Sequence, residues 1–261
     1  LSNLNNLDQD NLQNNANANE LSKNDDKKKI GHAISSMGFC SRREAERLVQ
    51  YGRVCVNGIR INECAERVSN SDEITVDGRQ IKKSSKVFIF HKPIKYLTTH
   101  NPQDGYETIF DIINIREHLT FLGRLDYMSE GLVVLTNVPS LVKIFSSSNY
   151  KRVYDIYVNH IDRSFASEIR NPCLDGQELM RINMTNQTKL VGCYKIRLEL
   201  REGKNREIRR ICEKCNMTIF KLKKVQHGPF KLGNLSPGEI QEINFSKVSD
   251  YISNNHKSNK S

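Results

Sequence analysis

The apolar positions of this chain fall into two alternating regimes. Residues 132–135 are a continuous Leu-Val-Val-Leu run bounded by Gly131 and Asn137, and residues 87–90 form a similar run, so both read as short buried strands. Residues 151–158 are rich in β-formers, and 179–183 and 190–200 read as further strands, the last bent near Gly192-Cys193. Helical spacing dominates elsewhere. Residues 30–37 form a short helix that stops at Gly38. Ser41 and Glu44 have the spacing of a capping box, with Ala45, Leu48 and Val49 on the buried stripe and Gly52 ending the turn. Val54, Val56, Ile59 and Ile61 alternate inward around Asn57-Gly58, a strong hairpin signal. A strand at 74–76 before Asp77-Gly78 completes this module. Residues 140–145 and 165–169 are further short helices.

The polar stretches divide the chain. Residues 1–29 are Asn-rich and end in three lysines, and 246–261 are similar; both are expected to be disordered, apart from docking by Tyr251 and Ile252. Lys82–Lys86 is a charged linker. The pattern therefore predicts an α+β protein with a small module at 30–84 and a larger domain at 85–245.

Charge sharpens this picture. The 261 residues carry a net charge of +10, which points to a polyanionic partner. Residues 201–224 hold nine Lys or Arg against three Glu, as expected of a patch that follows a phosphate backbone. Placed on a helix, residues 206–215 put Arg206, Arg209, Arg210 and Lys214 on one side. Ile208, Ile211, Cys212 and Cys215 fall on the other. Cys212 and Cys215 lack a second ligand pair, so they read as core residues rather than a metal knuckle. His91 has no partners at ligand spacing and reads as structural. Seven cysteines without framework spacing suit a reducing compartment. No stretch approaches a membrane span. The chain begins at Leu1 rather than Met, so a trimmed precursor is an open alternative.

The stretch 121–137, FLGRLDYMSEGLVVLTN, carries the chemistry. Asp126 sits on a small polar loop between two apolar segments, where a carboxylate is costly unless used or paired. The competing role is a turn cap. Gly123-Arg124-Leu125-Asp126 followed by Ser129, Gly131 and Leu-Val-Val-Leu-Thr-Asn resembles the signature loop of pseudouridine synthases. The likeness is to the branch that modifies ribosomal RNA and includes the small-subunit enzyme. That resemblance implies a mixed, mainly antiparallel catalytic sheet flanked by helices, with Asp126 as the nucleophile. It also implies Tyr154 as the residue that faces the base and removes a proton; Tyr157 lies on the opposite strand face. EGKNREIRR resembles the last motif of that family, which implies that Arg209 is the partner of Asp126. Arg124 would fill the space left by a flipped-out uridine, and Arg206 and Arg210 would contact RNA.

The stretch 41–58, SRREAERLVQYGRVCVNG, resembles the S-four type of RNA-binding domain, which implies that Arg42, Arg43 and Arg47 contact RNA phosphates. Two departures stand out: Lys95 replaces a glycine after Lys92-Pro93, and Val138 replaces an acid after Thr136-Asn137. The implied reaction moves no electrons and needs no cofactor or metal. The implied partner is ribosomal RNA or a ribosome-assembly intermediate, met by a monomer inside the cell. The compartment would be the bacterial cytoplasm or a eukaryotic organelle, mitochondrion or plastid. The competing reading is a non-catalytic RNA-binding or ribosome-assembly protein on the same fold.

Overall fold

The computed structural model describes residues 27–115 and 117–258, without the side chains of 255–258. Of residues 1–29, expected to be disordered, 1–26 lie outside the described residues, while Lys28–Lys29 is a short strand paired with Arg67–Val68. The chain forms two compact units, 1–84 and 85–261.

In the first unit, α1 (Ile30–Ser36) and α2 (Arg42–Gln50) pack Ile30, Ile34, Ala45, Leu48 and Val49 into one core. Ser41 caps α2 by accepting the Glu44 N–H at 3.1 Å. The expected reciprocal bond is replaced: the Glu44 carboxylate accepts from Arg47 instead, at 3.4 Å. Strands β1 (Val54–Val56) and β2 (Ile59–Ile61) pair through Asn57-Gly58, both at positive φ, 51° and 79°. Strand β3 (Ile74–Val76) pairs with β1 on its other side and turns at Asp77-Gly78 into β4 (Arg79–Gln80). One inward assignment fails. Ile59 is 71% exposed, because a three-residue edge strand runs past the end of the two short helices that cover the sheet.

The second unit is built on one sheet. Its strands are β5 (Val87–Lys92), β6 (Thr120–Leu122), β7 (Glu130–Thr136), β8 (Arg152–Val158), β9 (Asn183–Leu190), β10 (Cys193–Leu200), β11 (Ile219–His227), β12 (Phe230–Lys231) and β13 (Ile240–Ile243). The order is β9-β10-β8-β11-β7-β5-β13, with β12 on β11 and β6 on β7. Strands β5 and β7 are buried on both faces. Val87, Ile89, Leu132 and Val134 meet helices α4 (Pro139–Phe145) and α7 (Phe245–Ser258). Phe88, Phe90, Val133 and Leu135 meet α3 (Ile109–Ile112). On the other half, Ile156, Ile196 and Leu198 pack under α5 (Phe165–Arg170) and α6 (Glu207–Lys214).

The halves meet at the one parallel pairing, Lys223 opposite Glu130 and Lys224 opposite Gly131. Gly131 has φ 109°, and a Cβ there would lie 2.2 Å from the Lys224 carbonyl oxygen and 2.7 Å from its nitrogen. Only glycine lets these two strands close. The Lys224 side chain is buried as well. Its Nζ lies 3.1 Å from His227 Nδ1, and His227 Nε2 meets the Phe145 carbonyl at 2.9 Å. Burial and the Arg152 charge push the Lys224 amine down to about 7.

Several expectations need correction. The tail expected to be disordered is largely helix α7, whose Val248 is buried and whose Tyr251 lies near the Phe145 and Tyr150 rings. Residues 179–182 are not a strand, and the one long strand read at 190–200 is a hairpin, β9–β10, turning at Gly192. Strand β9 is exposed along its whole length, so it has no apolar alternation to reveal it. Helix α3 was missed, although Thr108 and Asp111 supply a full capping box. Helix α6 begins at Glu207, with Arg206 outside it at φ 50°.

Gly131→Ala is expected to lower the melting temperature by roughly 10 °C or to abolish soluble expression, since backbone must move to admit the methyl. Gly192→Ala, at φ 72° with nothing within 4 Å, serves as the control and should cost only about 1 kcal/mol.

Candidate active site

The loop 123–129 leaves β6 at Gly123, φ 73°, and returns into β7. It is pinned from several sides. Lys95 donates its N–H to the Tyr127 carbonyl at 2.7 Å. The Thr98 hydroxyl donates to the Leu125 carbonyl at 3.1 Å, and the buried Lys92 amine donates to the Ser129 and Pro93 carbonyls at 2.8 and 2.9 Å. Lys95 has φ 67°, so the lysine that stands in for a glycine takes up the left-handed conformation a glycine would adopt. Lys92 was not read as a site residue. The lysine-proline step after an apolar strand was its one signal. Its burial pushes the amine down to about 8, against the opposing pull of the Asp126 and Glu130 charges.

Asp126 projects from this loop toward the first turn of α6. Arg209 Nε donates to Asp126 Oδ2 at 3.0 Å. Its Nη2 donates to the Met128 carbonyl and the Ser129 hydroxyl, each at 3.1 Å. The guanidinium thus holds both the carboxylate and the loop that carries it. Arg206, in its left-handed turn, brings Nη1 to 3.8 Å from the same Oδ2. Burial pushes the Asp126 carboxyl up, but the Ser129 hydroxyl, Arg209 and Arg206 outweigh it and hold the acid below the usual carboxylate range. The side chain keeps 27% exposure, while Oδ1 is buried and accepts no hydrogen bond.

These groups line a cleft of about 650 Å³ with a partly apolar wall of Leu97, Leu200, Ile208 and Leu222. Tyr154 and Arg124 line it too. Tyr157, on the other strand face, instead lies between Lys195 and Lys221, at 5.8 and 5.9 Å from their amines. Burial drives the Tyr154 phenol up to about 12, with Arg152 opposing and Glu207 and Asp126 adding to the rise. At neutral pH it keeps its proton, so its ring is a better platform than its oxygen is a base. Glu207 also lines the cleft; its Oε2 accepts the Lys204 N–H at 2.9 Å while the buried Oε1 has no partner. Burial raises its carboxyl.

The remaining expected residues are dispersed. Arg210 pairs with Asp175, and Lys214 with Glu168 at 2.7 Å. Lys224 is buried, so the basic run 201–224 does not form one phosphate-facing patch. In the first unit Arg42, Arg43 and Arg47 are exposed, with Arg42 3.1 Å from Glu46. Cys212 and Cys215 are buried in the core under α6, and among the described residues no group of three or more His, Cys, Asp or Glu could hold a metal ion. His91 is buried and its Nδ1 lies 2.7 Å from the Leu235 carbonyl.

A mixed sheet with a loop aspartate fixed by a helix arginine in a cleft defines a class of RNA-modifying isomerase. The RNA pseudouridylate synthase family model matches residues 86–214, and the S4 domain model matches 33–74. An uncharacterized RNA pseudouridine synthase of Rickettsia conorii is 37% identical over 83% of this chain and 96% of its own length. The ribosomal large subunit pseudouridine synthase B of Bacillus subtilis is 29% identical over 82% and 91%. A crystal structure of a pseudouridylate synthase superposes with a TM-score of 0.58 at 19% identity, covering 84% of this chain and 97% of that one. The chain belongs to the RNA pseudouridine synthase family and carries an S4 domain at its front.

The Asp126–Arg209 pair makes a pH prediction. A carboxyl held low stabilises the fold at pH values above the ordinary aspartate range near 4, and this contribution is lost as pH falls through the depressed value. Arg209→Gln should therefore cost roughly 1–2 kcal/mol at pH 7. Denaturant unfolding should show that deficit shrinking as pH falls through the depressed value, below which the acid is neutral in both proteins.

Proposed function

We propose that this enzyme isomerises a uridine of ribosomal RNA, with Asp126 as its nucleophile. The observation that carries this reading is the Asp126–Arg209 contact of 3.0 Å inside a partly apolar cleft. It keeps a carboxylate ionised, aimed and partly desolvated. The reaction breaks the bond between N1 of uracil and C1′ of ribose and forms one from C5 to C1′. Asp126 bonds to the substrate as the N1–C1′ bond breaks and is released once the C5–C1′ bond has formed. Its freed carboxylate then takes the C5 proton and passes it to solvent while N1 gains one, so atoms and electrons balance. Such a rearrangement needs a charged nucleophile, a surface for the detached base and exclusion of water. Asp126 supplies the first. Tyr154 supplies the second, its ring beside the acid with its proton retained. Leu200, Ile208 and Leu222 supply the third.

Because the target atoms are stacked in a helix, the uridine is turned out into the cleft, and the exposed Arg124 is placed to occupy the gap. Arg206 supports the backbone on that side. Arg210 contributes to RNA contact only by exchanging Asp175 for phosphate. Exposed Arg42, Arg43 and Arg47 grip RNA from the S4 module. The name of the Bacillus subtilis relative favours large-subunit ribosomal RNA or an assembly intermediate, and bacterial relatives favour the bacterial cytoplasm over an organelle.

Asp126→Asn should abolish tritium release from RNA labelled at C5 of uridine, by more than roughly 10³-fold, with RNA affinity kept within about twofold. Turnover surviving that change would remove the mechanism. Replacing Arg42, Arg43 and Arg47 together by Ala should flatten the dependence of log affinity on log salt by about 2–3 units, as the loss of that many phosphate contacts requires. An unchanged slope would place RNA elsewhere.

A further inference from the structure

Arg209 holds the far end of Asp126, but the backbone that carries the acid is held by a different residue. Thr98 lies on the segment between β5 and α3, far in sequence from the loop, and is 5% exposed. Its Oγ1 donates to the Leu125 carbonyl at 3.1 Å and accepts the Leu125 N–H at 3.4 Å. One hydroxyl therefore satisfies both main-chain groups of the residue that precedes Asp126. The Leu125 side chain is itself buried in the core with Phe90 and Val133.

We propose that Thr98 is a positioning residue for the isomerisation, its hydroxyl fixing the Leu125 peptide plane and with it the direction of the Asp126 carboxylate. The proposal rests on reading Asp126 as the nucleophile. The Leu125 carbonyl belongs to the peptide that continues into the Asp126 nitrogen, so turning that plane swings the acid away from Arg209. On the far side Lys95 holds the Tyr127 carbonyl, and the Asp126 carbonyl accepts the Ser129 N–H at 3.1 Å. The flanking residues thus face the 95–98 segment, while the Asp126 side chain faces Arg209. The Lys95 contact is main chain to main chain, so its side chain is not the agent. The Thr98 contact belongs to a side chain, and Thr98 and Leu125 are 5% and 7% exposed, so its loss leaves two main-chain groups with little access to solvent.

Thr98→Val keeps the shape and removes the hydroxyl, and Thr98→Ser keeps the hydroxyl and removes the methyl. Two readouts separate positioning from bulk stability. The first is the titration of the Asp126 carboxyl followed by carbon-13 NMR in aspartate-labelled protein, the resonance being assigned by its loss in Asp126→Asn. The second is turnover of tritium-labelled ribosomal RNA, with RNA affinity measured alongside. In Thr98→Val the Asp126 titration should move up toward the ordinary aspartate value and kcat should fall roughly ten- to a hundredfold. RNA affinity should stay within about twofold, and Thr98→Ser should restore both titration and kcat. An unmoved Asp126 titration in Thr98→Val overturns the proposal, as does a Thr98→Ser protein displaced in either readout as far as the valine variant. The serine arm decides the matter even if the valine variant folds poorly. A wild-type protein without turnover would strike the nucleophile reading alone, because the titration judges Thr98 without any catalysis.

Discussion

The approach of Gly131 to the Lys224 backbone is the constraint on which the rest of the catalytic unit depends. Two antiparallel half-sheets, each with its own core, share only a short parallel pairing there. One half carries the Asp126 loop, which runs directly into Gly131. The other carries Arg209, on the helix that precedes β11. A side chain at residue 131 would hold the strands apart and move an acid away from its guanidinium. A distance of 3.0 Å between groups 83 residues apart is thus set by a missing methyl group on the strand that the Asp126 loop enters.

The electrostatics of the cleft follow from that closure. A carboxylate placed among Leu200, Ile208 and Leu222 would on burial alone take up a proton, and Arg209 with Arg206 reverses the direction. The same burial outweighs the opposing charges and hydrogen bonds at Tyr154 and Glu207, which both shift upward. One cleft therefore keeps one acid charged and its neighbours protonated more readily than in water. Opposed environments of this kind are how a fold assigns separate roles to chemically similar groups.

Rigidity beneath the loop has its own cost. Lys92 and Lys224 are buried amines without a carboxylate in hydrogen-bond contact, satisfied by carbonyls in one case and by a histidine in the other. Each is destabilising as a charge, and both amines are pushed down accordingly. They lie next to the catalytic loop, where a site that must not relax has its polar supports.

Much of this was legible along the chain, for local reasons. Apolar runs, the Asn57-Gly58 turn and the Ser41 cap depend on neighbours within a few residues; the runs and the turn form as read, and Ser41 caps its helix without the reciprocal Glu44 bond. The stripe of Ile208, Ile211, Cys212 and Cys215 was legible for the same reason. The resemblance of 121–137 to a pseudouridine synthase loop singled out Asp126, where spacing alone left a turn cap as an equal alternative. What the chain alone did not disclose was set by contacts across the sheet. Strand β9 pairs with β10 and shows no apolar pattern. Helix α7 is polar enough to pass for a tail until Phe145 and Tyr150 are placed beside it. Arg210 and Lys214 share a helix face with Arg209, yet Asp175 and Glu168 draw them away from the cleft. Sequence by itself determined the elements with an apolar stripe or a local turn signal, and by its family resemblance the acid that matters. Only tertiary structure decided which cations that acid meets, because a charge pairs with whatever the packing brings within a few ångströms.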